Sequence, residues 1–452
     1  MVRERNIFKL ALLVSCLHSS LPQNAPRDPY LPQYVPPSIE PPPPPRVQSF
    51  GAPVYSTGAV GESPELPLPP SQFAAPSSPF TPVPGTGGTP VASLPYFERL
   101  LQDPFQWGPF RLYPSLNYGF SYSEGLQGSS FGNNITVRHS VTPAFVLESE
   151  HVTLSYSPSF TYYQKGRYGD SVNQNASIRT GFGYGDWNFG LSHSYSSGLQ
   201  VLAETARETE TTSHSSGLTA GYRMSQRTSL DFSLSRSQND TTEFNSSTTY
   251  SSMNWFNYQI TDITRLGLGG GGGFTEVQSG SDMTYQQIQA RVNWVPRPKI
   301  SASVNGGVEL RQFLAADGAN DRLNPIMGAS ASYRPFENTA LTLSADRSVN
   351  TSVLTDQITE NTSVSLNLSQ RLVERVHAGL GVSLRSSDYQ ASSRFLQTDR
   401  SDTIKTFSAS LGTTFFKKAN VSVSYSYSDN SSTAPGFGYS GYSIGANIGY
   451  RF

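Results

Sequence analysis

Tyr442-Ser443-Ile444-Gly445-Ala446-Asn447-Ile448-Gly449-Tyr450-Arg451-Phe452 ends the sequence, with aromatic or aliphatic residues at every even position and Ser, Gly, Asn or Arg at every odd one. Successive side chains of a β-strand point to opposite faces, so this segment has one apolar face and one polar face. The same period runs upstream. Val376, Ala378, Leu380, Val382 and Leu384 alternate with His377, Gly379, Gly381, Ser383 and Arg385. Ile300, Ala302, Val304 and Val308 alternate with Ser301, Ser303, Asn305 and Glu309, and Trp187, Phe189 and Leu191 with Asn188, Gly190 and Ser192. A wall that meets lipid on one side and water on the other needs this pattern.

Composition agrees. Only 36% of the 452 residues are hydrophobic and 14% charged, while aromatics reach 12%. Disordered chains are usually charged and poor in aromatics, so the Tyr, Phe, Ser, Thr, Asn and Gly texture points elsewhere. No stretch after the first twenty residues has the roughly 18 consecutive apolar residues of a membrane-spanning helix. Lys plus Arg (32) balance Asp plus Glu (33), a net charge of −1 that gives no basis for binding nucleic acid.

Counting alternating segments from Leu112-Leu116-Tyr118-Phe120 to Phe452 gives about 18 strands, an even number as bacterial barrels have. The expected fold is all-β: a single transmembrane antiparallel up-and-down β-barrel over residues 109–452. Its connections provide a separate test, because short turns should alternate with longer loops. Short links fall at Ser149-Glu150, Gly185-Asp186, Ser225-Gln226-Arg227, Thr261-Asp262, Pro296-Arg297-Pro298, Pro335-Phe336-Glu337, Leu372-Val373-Glu374 and Lys417-Lys418. Between them, Ser197 to Thr212, Gln238 to Thr249, Ala315 to Leu323, Ser386 to Asp402 and Asp429 to Tyr439 read as longer polar loops. Within the first of these, Glu204 to Glu210 reads as a solvated acidic loop, with divalent cations bridging lipopolysaccharide as the alternative.

Ahead of the barrel, Arg3, Arg5 and Lys9 followed by Leu10 to Val14 read as a secretory signal over residues 1–20. Leu13-Val14-Ser15-Cys16 resembles a lipoprotein lipobox, and Cys16 is the chain's one cysteine. Two readings stay open for it: lipidation, or a spare residue of a discarded signal. Of the 32 prolines, 22 fall between Leu21 and Tyr96, so residues 21–92 read as an extended Pro-rich periplasmic linker that cannot build a core. Residues 93–108 read as a short helix, with Ser93 as N-cap, or as a lead-in.

The last strand also resembles the C-terminal signal by which outer-membrane barrels are recognised for assembly, carried here by Tyr442, Ile444, Ile448, Tyr450 and Phe452. With this barrel grammar, the size and the aromatic-Ser-Gly texture resemble the loosely defined β-barrel porin families over about the last three quarters of the chain. That resemblance implies an outer-membrane location and brings no residue-level catalytic or binding motif. Lipid, lipopolysaccharide and the barrel assembly machinery are the implied partners, with a periplasmic partner of the linker as a further one.

Strand parity assigns Arg138, Arg179, Arg223, Arg291, Arg311, Arg334, Arg385 and Arg451 to the lumen, against Asp231, Glu309 and Asp346. The excess is positive. One reading is a passive porin-like channel for small polar or anionic solutes. The other pairs these arginines with the acids and with Ser/Thr across strands, narrowing the lumen. A structural or export barrel for exopolysaccharide or protein, with the Pro-rich arm reaching a partner, is the alternative function.

Gly267 to Gly273, broken by Leu268, lacks the Lys-Ser/Thr of a phosphate loop, so these glycines are expected to bend a strand or admit close packing. His193 and His214 fall on the outward face, where a lipid-hydrolysing base or part of a metal site would stand. No third ligand at fixed spacing accompanies them, and interfacial side chains are the plainer reading. No enzyme, cofactor or metal site is therefore expected.

Overall fold

In a computed structural model of the protein, residues 105–125, 135–164, 169–202, 204–205, 207–314, 321–354, 357–373, 375–391, 400–415 and 418–452 are described. The signal, Cys16, the Pro-rich segment and Ser93 lie outside the described residues.

The strands are β1 (Phe105–Trp107), β2 (Phe110–Glu124), β3 (Ile135–Glu148), β4 (Val152–Tyr163), β5 (Ser171–Tyr184), β6 (Trp187–Leu202), β7 (Arg207–Arg223), β8 (Thr228–Thr241), β9 (Ser247–Thr261), β10 (Thr264–Val277), β11 (Met283–Arg297), β12 (Ile300–Phe313), β13 (Arg322–Tyr333), β14 (Thr339–Thr351), β15 (Gln357–Val373), β16 (Val376–Ala391), β17 (Arg400–Phe415), β18 (Ala419–Ser432) and β19 (Tyr439–Arg451). From β2 to β19 every strand pairs antiparallel with its sequence neighbours. The last strand then pairs with β2, from Tyr442↔Glu124 to Arg451↔Ser115. The result is a closed antiparallel barrel of 18 strands, the architecture of outer-membrane β-barrels. The short β1 folds back on the start of β2, with Trp107 opposite Phe110.

Closure follows from the composition of the two faces. The large apolar residues left exposed on the strands share one parity: Leu268 at 63%, Ile288 at 65% and Val304 at 54% stand with Leu411, Val423 and Ile448 on the outer surface. Such a surface is stable only in lipid, and lipid tolerates no sheet edge with unpaired N–H and C=O groups. Joining β19 to β2 removes the last edge.

Short turns lie at one end of the barrel and longer hairpins at the other, in the expected phase. Strands extend into four of the expected loops. β6 runs to Leu202 and β7 starts at Arg207; β8 and β9 stop at Thr241 and Ser247, β16 and β17 at Ala391 and Arg400, β18 and β19 at Ser432 and Tyr439. Loss of apolar alternation marks where a strand leaves lipid. Backbone pairing continues past that point, because Ser and Thr hydroxyls tie across strands just as well in water, as Ser197 Oγ and Thr212 Oγ1 do at 3.2 Å.

Substituting Leu268→Arg places a guanidinium on the lipid face near mid-strand. Folding into lipid vesicles followed by denaturant titration should show a loss of about 2–4 kcal/mol.

Candidate functional site: the lumen and its mouth

Register places the polar residues singled out by parity on the face opposite the exposed apolar set, and it links four of them. Arg223 (β7) pairs with Ser229 (β8), Ser229 with Asn257 (β9), Asn257 with Gly267 (β10) and Gly267 with Arg291 (β11). Arg291 pairs with Asn305 (β12), then Gly328 (β13), Asp346 (β14), Ser363 (β15) and Arg385 (β16). Because strands tilt and stagger in a barrel, one pairing row winds up the wall as a spiral. Arg223 is the last residue of β7 at the short-turn end, whereas Arg385 lies well along β16 toward the long-hairpin end.

Several members of the lumen set are paired. Arg291 Nη2 donates to Asp231 Oδ2 at 2.6 Å and to Asn257 Oδ1 at 2.7 Å, with its guanidinium 4.2 Å from the Trp255 ring centre. Arg311 donates through Nε to Glu309 Oε1 at 2.9 Å and through Nη2 to the Val349 carbonyl at 3.0 Å. Asp346 accepts from Ser363. Arg138 stands opposite Tyr163 in register, and Arg385 and Arg451 each have interaction partners. Arg179, Arg223 and Arg334 are exposed, and no carboxylate among the described residues pairs with them. The uncompensated charge therefore gathers toward the short-turn end.

The glycine-rich β10 is a shelf for its neighbours' side chains. A Cβ on Gly269 would sit 2.6 Å from Trp255 Cε3 and 2.7 Å from Met253 Cε, and one on Gly267 2.7 Å from Arg291 Cγ. β9 and β11 thus lay Trp255, Met253 and Arg291 flat across β10, which only a strand without side chains permits. Gly269→Ala overpacks this layer and should cost about 1–3 kcal/mol, read as a lower midpoint in denaturant-induced unfolding.

At the long-hairpin end, residues from several strands meet across the mouth. Val349 and Ile358, at the tip of the β14–β15 hairpin, pack with Met283 and Phe313 into an apolar cluster in which Ile358 is fully buried. The Asn245 amide, between β8 and β9, donates to the Val353 carbonyl at 3.0 Å. Arg322 on β13 reaches past that hairpin to the Ala391 carbonyl on β16 at 2.9 Å. Inward residues that an open pore would leave wet, such as Asn361, Ser387, Thr406 and Ser428, are buried.

From the opposite wall comes Glu204, in the β6–β7 connection. Its Oε2 accepts from Ser352 Oγ at 2.7 Å and from the Val353 amide at 2.9 Å, and its carbonyl accepts from Arg400 Nη1 at 2.6 Å. In the ring, β8 to β13 separate the two hairpins on one side, and β16 to β19 with β2 to β5 on the other. The contact therefore spans the lumen. Arg400 is held in place: it forks onto Asp402 and lies 4.3 Å from the Tyr389 ring centre and 3.7 Å from that of Phe437. Glu204 is thus not a solvated loop residue, since its segment folds inward. The contacts of Glu204 with Ser352 and Arg400 were not legible from parity, because they join residues 148 and 196 apart. Only the same-face spacing of Arg400 and Asp402 was visible.

On the outer face His193 Nδ1 lies 2.8 Å from Ser216 Oγ, and the His193 and His214 rings are 6.0 Å apart. No acid orients His193 among the described residues, and none of them form a group of three His, Cys, Asp or Glu side chains placed to hold a metal. Near the seam Tyr425 contacts Tyr442, and Tyr450 contacts Phe452, by their rings.

No family model matches the sequence, and no curated protein matches it. Among solved structures the chain is similar to the FrpB iron transporter of Neisseria meningitidis, at 10% identity and a TM-score of 0.41 over 75% of this chain and 81% of that one. It is also similar to OccK2 of Pseudomonas aeruginosa, at 12% and 0.43 over 75% and 98%, and to OccAB4 of Acinetobacter baumannii, at 9% and 0.41 over 75% and 98%. The barrel assignment rests on this chain's own strand closure.

Proposed function

We propose that the protein is a bacterial outer-membrane channel whose lumen favours small anionic or hydroxyl-bearing solutes. The short-turn end faces the periplasm in this reading and the long-hairpin mouth faces outward, as the long and short connections of such barrels are arranged. The carrying observation is the spiral row from Arg223 through Arg291 to Arg385, interleaved with Ser229, Asn257, Asn305, Asp346 and Ser363. Guanidinium groups and hydrogen-bonding side chains on one path, with Asp346 in the row and Asp231 beside Arg291 as its acids, exchange contacts with an anion or a polyol without a deep trap, as conduction requires. Exposed Arg179, Arg223 and Arg334 add a positive field at the periplasmic vestibule.

Because the β14–β15 tip folds into the mouth, selectivity is measured on a variant in which residues 350–359 are replaced by Asn-Gly, a favoured two-residue hairpin turn that keeps Val349 opposite Glu360. In a planar bilayer under a potassium chloride gradient, its reversal potential should show anion preference. Adding Arg223→Gln and Arg385→Gln should bring it toward zero. Cation preference in the tip-shortened barrel would contradict the reading, and so would a preference unmoved by both substitutions.

A further inference from the structure

The bond across the lumen points to a device beyond a passive pore. Each residue that receives Glu204 has another partner as well. Ser352 Oγ also accepts from the Leu354 amide at 3.0 Å, the Val353 carbonyl is taken by Asn245, and Arg400 is clamped by Asp402 and two rings. The receiving side is a fixed seat, and Glu204 is a single side chain offered to it from the facing wall. We propose that Glu204 is the bolt of an outer gate, seated in acid and released as pH rises, so that the protein is a proton-responsive channel. This rests on the channel reading above.

The groups that face Glu204 decide the sign. Arg400 on β17 and Arg385 on β16 favour its carboxylate, as do the hydrogen bonds from Ser352 and Val353 between β14 and β15. Tyr389 on β16 faces it as well, and Asp402 on β17 is occupied by Arg400. Burial acts against the charge and outweighs them, pushing the Glu204 carboxyl above its usual range. A seated Glu204 then binds its proton more tightly than a released one. Proton uptake therefore accompanies seating, and acidification favours the closed state across the interval from about pH 4.3, the ordinary glutamate value, up to the raised seated value. Protonation leaves the seat intact, because a neutral carboxyl still offers an oxygen to Ser352 Oγ and to the Val353 amide.

Full-length protein in planar bilayers tests this with two variants. Glu204→Gln copies the protonated side chain, and Glu204→Ala removes it. The wild type should conduct less at pH 5 than at pH 8; E204Q should stay low and E204A high at both. A second readout needs no conduction: an impermeant maleimide added outside intact cells should label Ser387→Cys, buried under the cap, when combined with E204A, and should fail to do so with wild-type Glu204 or E204Q. Equal labelling with and without the E204A substitution would overturn the bolt, and greater wild-type conductance at pH 5 would overturn its proton response. If E204A opens Ser387→Cys to label while even the tip-shortened barrel carries no current, the channel reading fails and the bolt stands.

Discussion

In hydrocarbon no water is present to satisfy a backbone N–H or C=O, and the rest of this structure depends on that constraint. In this chain the apolar faces of the strands are turned outward rather than packed on each other, every strand from β2 on is paired on both sides, and β19 returns to β2. Once closed, the ring fixes which residues share a row. Chemistry scattered over 160 residues, from Arg223 to Arg385, thereby falls on one spiral.

The same ring explains why the interior is not simply a hole. Eighteen strands spaced about 4.8 Å apart and tilted by about 40° enclose a cylinder about 35 Å across between backbones. Two devices consume that width. On one wall the glycines of β10 let Trp255, Met253 and Arg291 lie flat against the backbone. At the long-hairpin end the opposite happens, where the β14–β15 tip leaves the wall and packs over Met283 and Phe313. Its apolar contacts hold it to one wall, and the Glu204 contacts join it to the other.

Much of this was legible in the sequence, and the boundary is physical. Period-two alternation is a local property, so Tyr442 to Phe452 or Val376 to Arg385 disclose their two faces without a partner. The short-turn positions were legible for the same reason. Strand ends outside lipid were not, since Arg400 and Asp402 sit in a polar stretch with no apolar face to betray pairing. Cross-lumen contacts were least legible of all. Nothing near Glu204 announces Ser352, and an acidic hairpin tip has the same composition whether it points to water or folds inward. The arginines were found by parity, but which of them are neutralised depends on neighbours such as Asp231 and Trp255 that lie two or three strands away.

A closed barrel thus carries two hairpins that meet across its lumen. Double electron–electron resonance between spin labels at Thr205→Cys and Leu354→Cys, with the barrel in lipid nanodiscs at pH 5, measures that meeting. One short distance, near the lower limit of the method, is expected. A distribution centred near the full width of an open ring, about 35 Å, would contradict it.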